Sequence, residues 1–325
     1  MSKFTNDELK NLSRLLISDD ENNMALGMTL LDSNQEEAPF FINELVLIAT
    51  LLENESLKRK AELLLDYNHD KQLLRKKKKE LRILINYKEY TEDSNVFSKM
   101  LYNLEALRKD LSSYIDSNKI YCYKFFLLGQ HLDYRLGMYL DIAEQYYRML
   151  LNVSPLNESG LFSLAYLLAA KEGSYEEAID LYETIIEINP QASRAFNNLG
   201  HIYESQVKNF DVALKYYENA VKISPQTVHY YGNLVSVLLN GDKGNYKRIE
   251  ETLEKVLELD PNTEENWKRL SYFLEEYLED FGKAKNILQK GLEIHPHSNL
   301  LLTRLAGIYI LQGSDYELAF KLLKE

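Results

Sequence analysis

Five of the six prolines in this 325-residue chain, Pro155, Pro190, Pro225, Pro261 and Pro296, stand 35, 35, 36 and 35 residues apart. A period of that length holds two helices and the turns between them, so it limits the fold to an array of helix pairs. Between Pro190 and Pro225 the apolar residues fall into two stripes. Phe196, Leu199, Gly200 and Tyr203 share one face of a helix predicted over residues 194–205. Phe210, Ala213, Tyr217, Ala220 and Ile223 share one face of a second helix over 210–223. Spacings of three and four place each set on one side of a helix. Proline closes the unit, because it cannot continue a helix and biases the residue before it away from one. Neither helix buries its stripe alone, so each unit needs a copy of itself on either side.

The copies are there. Twelve residues before the five prolines stand Ala143, Ala178, Ala213, Ile249 and Ala284, and eight before stand Tyr147, Tyr182, Tyr217, Leu253 and Leu288. Gly129, Ala165, Gly200, Val235 and Ser271 lie 25 or 26 before them, and a sixth unit repeats the pattern with Ala306, Tyr309, Ala319 and Leu323. The pattern resembles the tetratricopeptide repeat, a helix–turn–helix unit of about 34 residues. The aromatic–Leu–Gly start of that family appears as Phe196, Leu199, Gly200 and as Trp267, Leu270. The resemblance covers residues 121–325, in units 121–155, 156–190, 191–225, 226–261, 262–296 and 297–325. It implies an all-α fold: a right-handed α-solenoid of antiparallel helix pairs, about six repeats long, behind a helical N-terminal region. The residue or two beyond the family period is expected between the helices, where an insertion costs little. Small residues on the first helix are expected to face alanine on the second, letting the backbones close up. Val235 and Ile249 fill both small slots of unit 226–261, which also has the longest turn, residues 240–245. That pair is expected to be wider.

Residues 1–120 lack the repeat. A first helix is expected over 5–17, a second opened by Ser18 and running to Leu31, a third opened by Pro39 and running to Leu52, and a fourth over 55–65. These pairs resemble HEAT-like repeats, and residues 1–85 are read as one helical region. The run Lys76, Lys77, Lys78 and Lys79 follows. It has two readings: a patch for nucleic acid or another anionic surface, or the solvated side of a helix whose other side carries Leu74, Leu81 and Leu84. We favour the second. Residues 86–120 are expected to form a turn and one long helix bridging into the array.

Charge and cysteine content bound the function. Acidic residues outnumber basic ones 50 to 38, a net charge of −12, of which residues 1–120 carry −3. Such a balance disfavours nucleic acid, whose binding depends on neutralising phosphates. The single cysteine, Cys122, forms no intrachain disulfide and is expected as a buried thiol. The most apolar run, residues 40–52, is too short to span a membrane of about 20 helical residues. The charges scattered through residues 1–16 do not read as a secretory leader. A cytoplasmic setting is expected.

No catalytic constellation is apparent. The close pair His295 and His297 sits at an inter-repeat turn, and Glu176–Glu177 and Glu250–Glu251 open second helices, where acids suit the dipole. No enzyme activity, metal or cofactor is expected. The resemblance implies instead that first helices line a concave groove for a peptide or helix of a partner. The helical phase puts Arg194, Asn197, Asn198 and His201 there in the third unit, Asn233 and Ser236 in the fourth, with His229 a turn earlier. Lys268, Arg269 and Tyr272 follow in the fifth, Thr303 and Arg304 in the sixth, and Phe162, Ser163 and Tyr166 in the second. Asparagine can bond peptide amides at both ends of its own amide, and Lys or Arg can pair with carboxylates. An acidic peptide or free C-terminus is the expected ligand. Asn198, Asn233 and Arg269 are similar to part of the family's carboxylate clamp. The reading is a non-catalytic scaffold or adaptor. Two alternatives are a nucleic-acid-associated factor using the lysine run, and a regulatory subunit whose N-terminal helices bind an enzyme. The apolar residues Ile308, Ile310, Leu311, Leu318 and Leu322 of the last unit are expected to leave a surface for self-association or a partner.

Overall fold

The computed structural model describes residues 4–66, 71–82, 84, 95–116, 118–136, 139–171, 173–241, 245–313 and 315–323. Among them no residue is in a strand. The chain divides into two compact units, Met1–Lys171 and Glu172–Glu325.

In the first unit α1 (Asn6–Leu16) packs on α2 (Glu21–Asp32), and α3 (Ile42–Leu51) on α4 (Glu55–Leu65). Thr5 starts α1 with a reciprocal cap. Its hydroxyl accepts from the Glu8 N–H, and the Glu8 carboxylate accepts from the Thr5 N–H at 2.8 Å. Asp20, not Ser18, caps α2. Its carboxylate accepts from the Asn22 N–H at 2.8 Å, while the Ser18 hydroxyl is turned to the Asp20 N–H. Pro39 does not open α3 either. It sits inside a 3₁₀ turn, Gln35–Phe41, and α3 begins at Ile42. Fixed φ and the missing N–H suit proline to such a turn. Helix α5 (Lys71–Leu81) packs on α3 with Leu74 and Leu81 buried.

The single long helix expected over 86–120 is broken. Residues 85–94 lie outside the described residues; beyond them run α6 (Asn95–Asp110), α7 (Ser112–Ile115) and α8 (Lys119–Gln130). The restart has a cause at Asn118. Its side-chain oxygen accepts from the Tyr121 N–H at 3.1 Å, and its amide N–H₂ donates to the Ile17 carbonyl. The Lys119 N–H donates to the Asp19 carboxylate at 2.6 Å. A capping side chain bonded to the α1–α2 turn outcompetes helix continuation. Cys122, one turn into α8, is buried; its thiol reaches the Ile115 carbonyl at 3.2 Å, and burial pushes its pKa up to about 12. A wide π turn, His131–Leu136, leads towards α9 (Leu140–Val153), which packs on α8 with Phe125 edge-on to Tyr146 at 5.0 Å. Asn157 caps α10 (Glu158–Ala170).

The second unit is a run of hairpins. Its helices are α11 (Tyr175–Ile188), α12 (Ser193–Ile202), α13 (Phe210–Ile223), α14 (Val228–Gly241), α15 (Tyr246–Leu259), α16 (Glu264–Glu276), α17 (Phe281–Ile294), α18 (Asn299–Leu311) and α19 (Tyr316–Leu322). The spaced prolines occupy the turns. The residue after next bonds back over Pro190, Pro225 and Pro296: Ala192 N–H to Asn189 O at 3.0 Å, Thr227 to Ser224 and Ser298 to His295 at 3.1 Å. Each proline thus holds the second place of a β-turn, which its fixed φ favours. The large residue six after a proline is tied to the same turn. Tyr231 OH donates to the Pro225 carbonyl at 3.0 Å, and Trp267 Nε1–H to the Pro261 carbonyl at 2.8 Å.

Part of the extra length beyond 34 residues is taken up at the end of a first helix. Helix α12 runs on through a π turn, Tyr203–Val207, and the Asn209 N–H returns to the Tyr203 carbonyl at 2.9 Å. Left-handed residues stop the chain just before a second helix: Gly173 (φ 76°), Lys208 (59°) and Glu279 (50°). Small-on-small packing needs correction. A Cβ at Gly200 would lie 2.7 Å from the Tyr217 ring, and one at Gly129 3.1 Å from Tyr147. Both glycines make room first for the tyrosine of the second helix, and at Gly129 the Ala143 carbonyl is also close, at 3.4 Å. Val235 and Ile249, in the small slots of α14 and α15, are both buried. Residues 242–244 of the long turn between those helices lie outside the described residues. One core, including Tyr217, Leu234, Leu253, Trp267, Phe273, Leu288 and Leu305, runs through these hairpins.

Candidate functional site

Counting from each proline aligns the first helices. The eighth residue is Asn198, Asn233, Arg269 and Arg304 in turn; the seventh is Asn197, Gly232, Lys268 and Thr303; the eleventh is His201, Ser236, Tyr272 and Gly307. These positions lie off the buried stripe except Asn197, which is buried. The structure places half of them in contacts that tie one repeat to the next. Asn233 donates its side-chain N–H to the Asn197 side-chain oxygen at 2.8 Å, and Asn198 donates to Tyr182 OH at 2.8 Å. Arg304 stacks over the Tyr272 ring at 5.0 Å, and the Arg269 guanidinium comes within 3.8 Å of where a Cβ on Gly232 would stand.

Sequence reasoning missed the acids that anchor this layer. Glu204 and Glu275 each stand fourteen residues after a proline, a shared repeat position that is the signal for them. The Glu204 carboxylate accepts from Tyr217 OH at 2.8 Å, Ser236 Oγ at 2.7 Å and Asn240 Nδ2 at 3.2 Å. Glu275, 5% exposed, accepts from Arg304 Nη2 at 2.6 Å. Burial raises the pKa of Glu275, and burial together with the Glu204 bond raises that of Tyr217.

Of the ten predicted residues, Asn197, Asn233, Ser236 and Arg304 therefore join neighbouring repeats, and Asn198 bonds to the preceding helix. Asn198, Asn233 and Arg269 are not bonded to one another. Lys268 pairs with Glu265 on its own helix at 3.3 Å. Arg194, His201, Arg269 and Tyr272 are exposed, as is His229. In the first unit, Tyr166 is exposed and Ser163 buried, with its Oγ accepting from Gln130 Nε2 at 3.1 Å. His295 is held in its turn between Glu264 and the Pro261 carbonyl. In the last repeat Ile308 is fully buried, not open; Ile310, Leu311, Tyr316, Phe320 and Leu323 are exposed. Among the described residues no group of three or more His, Cys, Asp or Glu is placed to hold a metal. No helix among them is long and apolar enough to cross a membrane.

Known families match over the repeats: "TPR repeat" over residues 168–207, and "Tetratricopeptide repeat" over 193–227 and 228–263. Residues 168–263 thus carry tetratricopeptide repeats. These repeats form a protein-interaction scaffold. Among solved structures, the C-terminal part of a TPR repeat-containing protein from Cytophaga hutchinsonii is 16% identical, with a TM-score of 0.54 over 73% of this chain and 93% of that one. YrrB, described as a TPR protein with an unusual peptide-binding site, is 20% identical over 61% and 96%, TM-score 0.45. MamA from Desulfovibrio magneticus RS-1 is 18% identical over 55% and 96%, TM-score 0.46. No curated protein matches the sequence. At these identities the likeness is one of fold.

Proposed function

We propose that the tetratricopeptide repeats of the second unit hold an extended acidic peptide of a protein partner along their first helices. One observation carries this. The amides on this face are spent on each other and on Tyr182, so the groups turned outward are cations and aromatics: Arg194, His201, His229, Arg269 and Tyr272. Recognition would therefore rest on ion pairs to carboxylates and on stacking, rather than on asparagine gripping the peptide backbone. The chain acts here as a non-catalytic adaptor. Fluorescence anisotropy of a labelled Asp- and Glu-rich peptide should report binding to the full chain. Combining Arg269→Glu with Tyr272→Ala should weaken it at least tenfold. Equal affinity for both proteins would reject this face as the site.

Self-association through the last repeat belongs to the same reading, supported by the exposed Ile310, Leu311, Tyr316 and Leu323. Light-scattering mass should rise with concentration and stay monomeric for Leu311→Glu. A wild-type monomer at every concentration would exclude it.

A further inference from the structure

The basic run has a second side. Between α3, α4 and α5 lies an open cleft of about 990 Å³ lined by Lys58, Arg59, Lys60, Lys78 and Arg82, with Ala49, Thr50, Ser56 and Leu63. Two carboxylates also line it, and each is matched: Glu55 pairs with Lys58 at 2.9 Å and Glu62 with Lys78 at 3.7 Å. The described lining residues therefore carry a net charge of +3. The side chains of Arg59, Lys60 and Arg82 have no hydrogen-bond or ion-pair partner among the described residues. At the wall, Thr50 is 7% exposed, and its hydroxyl has no partner among them either. The unpartnered cations gathered in one concavity point to an anionic ligand.

The chemistry of the lining selects that ligand. Apart from the two matched carboxylates, its polar side chains are cations and hydroxyls, nearly all donors. Among the described residues that line it there is no asparagine or glutamine to answer the N–H groups of a peptide, and no aromatic ring on which a base could stack. A phosphate is an acceptor on every face, and arginine meets it with two parallel bonds. The cations converge in one concavity, whereas Lys76 and Lys79 are exposed and do not line it. That is unlike the extended track a nucleic-acid backbone requires.

We infer that the cleft between α3, α4 and α5 binds a small, multiply phosphorylated anion, gripped by Arg59, Lys60 and Arg82. Calorimetry of the full chain with inorganic tripolyphosphate at physiological salt should give saturable one-to-one binding. Arg59→Gln with Arg82→Gln should weaken it at least tenfold. Lys76→Gln with Lys79→Gln should change it less than twofold. Absence of binding at millimolar tripolyphosphate would overturn the proposal, as would an equal loss from the Lys76 and Lys79 changes. A single-stranded RNA oligonucleotide that displaces tripolyphosphate and binds more tightly would overturn it too, in favour of nucleic acid.

Discussion

Gly200→Ala should destabilise the repeat array by about 2 kcal/mol, although it removes a glycine from a helix. Two effects compete. Alanine gains about 1 kcal/mol of helix propensity over glycine. Against that, the new methyl would sit 2.7 Å from Cδ1 and Cε1 of Tyr217 and 3.0 Å from its Cγ. The ring has nowhere to go. Tyr217 is fully buried, and its hydroxyl is fixed on Glu204, which also accepts from Ser236 and Asn240 of the next repeat. Overpacking a rigid site costs about 1–3 kcal/mol, and here the upper end applies because moving the ring also breaks the Glu204 contacts. Gly307, in the middle of α18, supplies the opposite case. Nothing lies within 4 Å of a Cβ there, so Gly307→Ala should stabilise by about 0.5–1 kcal/mol. Urea melts of both variants check the pair. A stabilised Gly200→Ala would show that the hairpin is looser than its packing implies.

Residues with a repeating reason were legible in the sequence; residues with a local reason were not. The prolines marked the turns because nothing else suits the second place of a β-turn so well, and the 210–223 stripe gave α13 to the residue. Gly200 was legible as small, but its opposite number was not, since spacing names positions and not the size of what they face. Ser18 and Pro39 misled because caps and tight turns depend on neighbours. Ser18 had its own turn to serve, and Pro39 suited a 3₁₀ turn ahead of the helix. The break before Asn118 hung on the Ile17 carbonyl, about a hundred residues away, which no local pattern carries. On the candidate face the phase put Asn198, Asn233 and Arg304 off the core, but it put Asn197 there too, and Asn197 is buried. It could not say that they bond within the array, because that depends on how repeats are set against one another. Glu204 and Glu275 were hidden for a different reason: only two repeats carry the acid, too few to stand out as a pattern.

Glu275 sets up the second large effect. Its carboxylate is nearly buried and holds Arg304 of the next first helix at 2.6 Å. Arg304→Ala leaves that charge without its partner, and removing one member of a buried pair costs about 3–5 kcal/mol. With Arg304 partly exposed, the low end applies: a loss of about 3 kcal/mol at neutral pH. The loss should depend on pH in a stated direction. Burial holds the Glu275 pKa above its ordinary value of 4.5 even with Arg304 present. Between 4.5 and that raised value the folded chain keeps a proton that the unfolded chain has lost. The stability due to this group is thus complete below 4.5 and is lost as pH rises through the raised value. Without Arg304 the pKa climbs further, so the variant should be weakest at pH 7 and above, and recover as pH falls towards 4.5. Glu275→Gln added to Arg304→Ala should recover part of the loss at pH 7, because a neutral amide costs less to bury than an unpaired charge. Melts of the single and double variants across pH 4.5–8 measure both effects. A deficit that is flat with pH, and untouched by Glu275→Gln, would mean that Arg304 acts through its packing on Tyr272 and not through the ion pair.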